Sequence, residues 1–300
     1  MQKDQINWHG FLHLFVIYLV WGSTYLAIRI GVREGAGFPP FFFGGSRVAA
    51  AGIFLIILGS LRKNRLRVTK QELRDLVFSG ALLWIGGMGM VTWSEQRADS
   101  GIAALLIAAT PIWTAMISAT IDKELPSMRM MLALLMGFSG IALLSAPVIR
   151  SGIQADIWSI GGLIVAGLSW SIGTILQSRK LSHLPTFTSA GYQQLVGGLG
   201  LLILALIVGE PFPEPTQGAW WAWAYLWFFG SIIAFTSFTN ALRLLPIKIV
   251  MTYPYVNPVI AVFLGWLILD ETLDLWTIFG AILILFGIAG IFRERFREAS

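Results

Sequence analysis

Tyr18, Trp21 and Tyr25 follow one another at spacings of three and four, so on a helix they share one face. Gly167, Trp170 and Thr174 repeat the arrangement 149 residues later, with Gln177 one turn on. Gly80, Trp84 and Met88 make a third stripe, and Trp227, Ser231 and Phe235 a fourth. Thr110 precedes Pro111, while Tyr253, Pro254, Asn257 and Pro258 share one short stretch. Aromatic faces with a few neutral polar groups break no bonds; their chemistry is to hold a solute. Each residue alone is equally at home in a core or an interfacial belt. Recurrence of the stripes at matching places favours a binding wall. The candidates for substrate binding are therefore Trp21, Tyr25, Trp84, Met88, Thr110, Trp170, Thr174, Phe235, Tyr253 and Asn257.

Two further candidates carry stronger polarity. Arg47 falls within an apolar run, where a charge is costly and needs a partner. It is a candidate for a substrate carboxylate, with Gln193 or Gln194 opposite. The structural alternatives are pairing with Glu95, Asp99 or backbone carbonyls, or snorkelling towards a surface. Glu124 and Glu271 occupy equivalent loops and read as helix-end charges. No catalytic residues are expected, because the histidines are scattered and the carboxylates sit at segment ends. His9, His13 and His183 lack metal spacing, so neither a metal nor a cofactor is expected. There is no phosphate loop for ATP. None of the 16 acidic residues falls mid-span, which argues against an intramembrane proton relay, leaving titration at Glu95 or Asp99 as the open route.

The elements that must position these groups are membrane helices. The chain is 56% hydrophobic and only 12% charged, with a mean hydropathy of +0.74. A spanning helix needs about 20 mostly apolar residues. Ten segments qualify: His9–Ile30, Pro40–Ser60, Leu73–Ser94, Ser100–Ile121, Met128–Ala146, Trp158–Gln177, Thr186–Val208, Gly218–Leu242, Ile247–Leu269 and Leu275–Phe292. Sixteen of the 21 basic residues then share a side with the N-terminus. Arg29, Arg33, Arg97 and Arg150 lie opposite, and Arg47 lies inside a span. That bias places both termini in the cytoplasm. It also accounts for the pI near 9.7 without nucleic acid. Cysteine is absent, which excludes disulfides and thiolate metal sites.

An internal repeat organises the ten. At an offset of 147, Pro111 aligns with Pro258, Ile121 with Ile268, Glu124 with Glu271, and Gly140-Ile141-Ala142 with Gly287-Ile288-Ala289. The chain divides at 1–147 and 148–300. Five helices per half is an odd number, so the second half is inverted and a shared cavity lies near the midplane. Pro111 and Pro258 each remove a backbone hydrogen bond within a helix, making them candidate hinges or static kinks. Glycines of helices five and ten suit close helix packing.

Leu19-Val20-Trp21-Gly22-Ser23-Thr24-Tyr25 resembles the first-helix signature of EamA-type carriers in the drug/metabolite transporter superfamily. Arg47 before Val-Ala-Ala-Ala, Thr110-Pro111 with Glu124, and Asn257-Pro258 with Glu271 extend the likeness over nearly the whole chain. The resemblance implies an all-α membrane protein of ten helices in two inverted five-helix repeats. The cavity would lie between helices one to four and six to nine, with five and ten beside it. It further implies export of amino acids, aromatic ones included, or of similar metabolites across a bacterial inner membrane by alternating access. Small multidrug carriers of that superfamily use a first-helix Glu that this chain lacks, which counts against their proton antiport. Drug or metabolite efflux by proton antiport is the alternative; a membrane enzyme or a scaffold is a reading of another class. The expected partners are a small-molecule substrate and the lipid bilayer, and a monomer suffices.

Overall fold

A computed structural model describes residues 7–98, 100–146, 155–269 and 274–298, in which every regular element is helical. The helices are α1 (Trp8–Val32), α2 (Pro40–Leu61), α3 (Lys70–Ser94), α4 in two pieces (Ser100–Ile107 and Thr110–Asp122) and α5 (Met128–Leu144). They continue with α6 (Ile157–Leu181), α7 (Thr186–Ile207), α8 (Gln217–Leu244), α9 in two pieces (Ile247–Val250 and Tyr253–Leu269) and α10 (Leu275–Glu298). Each expected span has its helix. Among the described residues nine are long and apolar enough to cross a membrane, and α5 is a shorter apolar helix of 17 residues. Asp99, Arg150 and Glu271 lie outside the described residues.

Local chemistry sets the helix starts. Asn7, Ser127, Asp156, Thr216 and Asp274 each accept a bond from a backbone N–H three residues on. Thr69 and Glu72 cap α3 reciprocally. The Glu210 carboxylate reaches from the α7–α8 loop to cap α2, accepting from the backbone N–H of Phe41 at 2.9 Å and of Phe42 at 2.8 Å. Its negative charge suits a helix N-terminus.

The repeat is visible as packing. α2 lies along α7, and α5 lies along α10. A Cβ on Gly140 would sit 2.7 Å from the Ile284 backbone N and 2.8 Å from the Gly280 carbonyl O. One on Gly287 would sit 2.6 Å from the Gly137 backbone N and 2.9 Å from the Ala133 carbonyl O. The second set is the first with the halves exchanged, since 287, 284 and 280 are 140, 137 and 133 displaced by 147. The α2–α7 seam is as close: a Cβ on Gly198 would lie 2.3 Å from the Ala49 backbone N. Lipid offers no hydrophobic gain for bringing two apolar helices together, so backbone approach and dispersion hold these seams. A helix that packs on its own counterpart lies on the pseudo-two-fold axis. The axis therefore threads both seams, and the remaining six helices surround the middle.

The two equivalent prolines act differently. Pro111 has no N–H for the Ile107 carbonyl, the Thr110 hydroxyl donates to that carbonyl instead, and α4 breaks at Ala108–Ala109. Pro111 thus opens a helical piece and is not mid-helix. Pro258 lies within the continuous piece Tyr253–Leu269, and α9 breaks earlier, at Met251–Thr252. α3 and α8 each contain a nine-residue π-helical stretch, Ala81–Gly89 and Leu226–Ala234. Such stretches are rare and cluster at functional sites. Here they carry Trp84, Met88 and Ser231.

Candidate substrate cavity

A cavity of about 70 Å³ lies where the repeats meet. α1 contributes Trp21, Thr24 and Ile28; α3 contributes Gly87, Met88 and Val91; α4 contributes Ile107 and Thr110. The second repeat supplies Ala166 and Trp170 from α6, and Tyr253 and Asn257 from α9. A typical ligand pocket holds roughly 300–1,000 Å³. A solute of amino-acid size therefore requires these walls to part.

Trp21 is the hub. Its ring lies 4.8 Å from Tyr253, 5.2 Å from Phe238 and 5.7 Å from Trp170, centroid to centroid, and the Tyr253 and Trp170 contacts are edge-on. These are the separations at which aromatic quadrupoles attract. The Trp21 indole N–H donates to the Gly230 carbonyl, in the π-helical stretch of α8, at 3.3 Å. Trp84 stands behind, 6.3 Å from Trp170 and 4.8 Å from Phe235. Several buried polar atoms at this centre have no hydrogen-bond partner: Asn257 Oδ1, the indole nitrogens of Trp170 and Trp84, and Thr174 Oγ1. A buried polar atom left unmatched costs stability that a bound solute can return.

Of the residues expected to bind substrate, Trp21, Met88, Thr110, Trp170, Tyr253 and Asn257 line this cavity. Trp84 and Phe235 form the layer behind it, and Thr174 is fully buried on α6. The Tyr25 side chain lies outside the described residues. Arg47 and Gln194 are elsewhere, at the junction of α2, α7 and α8. Arg47 Nη1 donates to the Ser231 hydroxyl at 3.0 Å, and Gln194 Nε2 donates to the Ser231 carbonyl at 3.1 Å. The Arg47 side chain is therefore joined to Ser231 rather than to Glu95. Sequence reasoning missed Thr24, Ile28, Gly87, Val91, Ile107 and Ala166. Thr24 and Ile28 continue the Trp21 stripe at spacings of three and four, a signal that was present. Gly87 and Ala166 contribute only room, which leaves no mark in a sequence.

Neither end of the bundle is neutral. At the basic end Asp122 and Arg179 pair across the repeats, and Glu72 meets Arg65 and His183. At the opposite end, just beyond the α3 span, Glu95 faces a cavity of about 200 Å³ shared with Arg29, Arg33, Glu34 and Arg97. Both Glu95 carboxyl oxygens are buried without a hydrogen-bond partner. Burial pushes this carboxyl up to about 8, against the pull of Arg29. Among the described residues no group of His, Cys, Asp and Glu is arranged to hold a metal ion.

The sequence pattern of the EamA-like transporter family matches residues 8–146 and 157–293, once in each half. The chain belongs to the EamA-like transporter family. It is 34% identical over 264 residues to the "Uncharacterized inner membrane transporter YedA" of Escherichia coli (strain K12), covering 87% of this chain and 83% of that one. It is 26% identical over 285 residues to the "Uncharacterized transporter YoaV" of Bacillus subtilis (strain 168), covering 92% and 94%. A solved crystal structure superposes with a TM-score of 0.80 at 21% identity over 97% of this chain and 99% of that one, which shows a shared fold. As an EamA-like protein the chain is a membrane transporter.

Proposed function

We propose that this EamA-like transporter exports amino acids or similar small zwitterions across a bacterial inner membrane, by uniport or exchange. The observation that carries the reading is the cavity between the repeats. Its described lining is aromatic and neutral, with the Asn257 amide oxygen unmatched. Aromatic walls accept varied apolar side chains, while Asn257 and Thr110 hold a polar end. Residues 1–147 and 148–300 act as the two repeats that rock about the α2–α7 and α5–α10 seams, bending where α4 breaks beside Pro111 and where α9 breaks ahead of Pro258. Both termini face the cytoplasm, the side that the basic loops favour. Arg47, joined to Ser231, positions α2 against α8. One chain contains both halves, so a monomer suffices.

A second reading, efflux driven by proton antiport, draws on the buried Glu95 carboxyl at the outer end. Counterflow separates the two. Proteoliposomes loaded with an unlabelled amino acid, at equal pH inside and out, are expected to accumulate the labelled form above empty vesicles. Accumulation only under an imposed pH gradient favours antiport. No accumulation under either condition, for any amino acid, contradicts the substrate class.

A further inference from the structure

A second cavity, of about 250 Å³, opens at the basic end between α4, α5, α6 and α9. Its charges distinguish it from the central one: Asp122 and Glu124 on one side, Arg179 and Lys248 on the other. α4 joins the two cavities. Thr110, Thr114, Ser118 and Asp122 recur at every fourth residue and make one stripe along that helix. Thr110 lines the central cavity, and the other three line this one.

The two middle hydroxyls are unmatched. Thr114 is 3% exposed, its hydroxyl is buried without a hydrogen-bond partner, and so is that of Ser118. A helical Thr can donate back to the carbonyl four residues earlier, as Thr120 does to Met116 at 2.9 Å. For Thr114 that carbonyl belongs to Thr110, and it instead lies 3.2 Å from the Ser171 hydroxyl of α6, which also donates to the Gly167 carbonyl at 2.8 Å. Both hydroxyls are left for what enters the cavity.

Resting on the carrier reading above, we propose that this cavity is a loading subsite for solutes bearing both an ammonium and a carboxylate. Thr114 and Ser118 are the hydrogen-bonding steps from its charged mouth to the aromatic centre. The mouth explains the double requirement. Asp122 and Arg179 form a two-point ion pair, both contacts 2.7 Å, with side chains 46% and 34% exposed. A two-point pair of this kind is the stronger sort of surface ion pair, so it opens only for a solute that replaces both charges. An ammonium can take Asp122 while a carboxylate takes Arg179, so each charge stays compensated. A solute with one charge alone would strand a partner.

The test compares half-saturation from each side of oriented proteoliposomes. The probe is whichever of phenylalanine, leucine and threonine the wild type carries fastest. The double variant Thr114→Val with Ser118→Ala is expected to raise half-saturation at the basic end about tenfold, the scale of one lost hydrogen bond. Half-saturation at the opposite end should stay within about twofold. A passive carrier must keep the ratio of maximal rate to half-saturation equal in both directions, so transport from the opposite end loses maximal rate instead. Thr120→Val, on the same helix but exposed, should change neither. Thr114→Ser should restore wild-type behaviour at that position. Unmoved half-saturation in an active double variant overturns the subsite, and so does an equal rise at both ends. A wild type that carries none of the probes overturns the amino-acid reading, and the subsite falls with it.

Discussion

Asn257→Leu is expected to reduce amino-acid flux at least tenfold, about 1.4 kcal/mol of lost interaction, and to make the protein more stable. The two effects share one cause. Asn257 is 1% exposed, lines the central cavity, and its amide oxygen is buried without a partner. An unmatched polar atom of this kind costs about 1–3 kcal/mol. Leucine keeps the branched shape with the same number of heavy atoms and removes that cost. It also removes the Asn257 acceptor, unmatched among the described residues, that a solute ammonium can meet. Flux in proteoliposomes and melting temperature in detergent report the two sides separately. Reduced flux with a lower melting temperature would make Asn257 structural, and unchanged flux would remove it from the site.

Glu95 should produce the largest dependence of stability on pH. Its carboxyl ionises near 8 in the folded protein, against an ordinary 4.5. Folding therefore favours the protonated form. Stability is complete below about pH 4.5 and declines as pH rises through about 8. The groups that share its cavity are Arg29, Arg33 and Glu34 from α1 and Arg97 from its own segment. Of these Arg29 partly offsets the burial. Glu95→Gln keeps the shape without the charge. The variant is expected to match wild type at pH 4.5 and to exceed it at pH 8, by on the order of a few kcal/mol. A wild type more stable than the variant at pH 8 would mean that the ionised form is the one the fold supports.

The spans and the repeat were legible because lipid imposes simple rules. A crossing helix needs a run of apolar residues, and the ten runs became ten helices. The offset of 147 reappeared as reciprocal backbone contacts at Gly140 and Gly287. Other features depended on neighbours that a sequence does not name. The same Pro-containing motif stands at a break in α4 but within a continuous piece of α9, and at the α4 break the Thr110 hydroxyl takes up the Ile107 carbonyl. Arg47 was visible as an isolated charge, yet its partner is a Ser on α8, 184 residues away. The spacing of Thr110, Thr114, Ser118 and Asp122 was in plain view. What gives it meaning is that the Thr114 and Ser118 hydroxyls are buried without a partner, which only the fold shows. Which ring of an aromatic stripe touches the cavity and which stands behind it is decided by helix rotation.

The central claim, that one cavity between the repeats is exposed to each side of the membrane in turn, has a direct test. The chain contains no cysteine, so a single introduced thiol reports alone. Thr24 lines the cavity and is 7% exposed, and cysteine there changes little volume. In sealed vesicles Thr24→Cys is expected to react slowly with a membrane-impermeant maleimide added from either face, and a transported amino acid should protect it. Reaction from one face only, no reaction from either, or no protection by a transported amino acid would contradict the account.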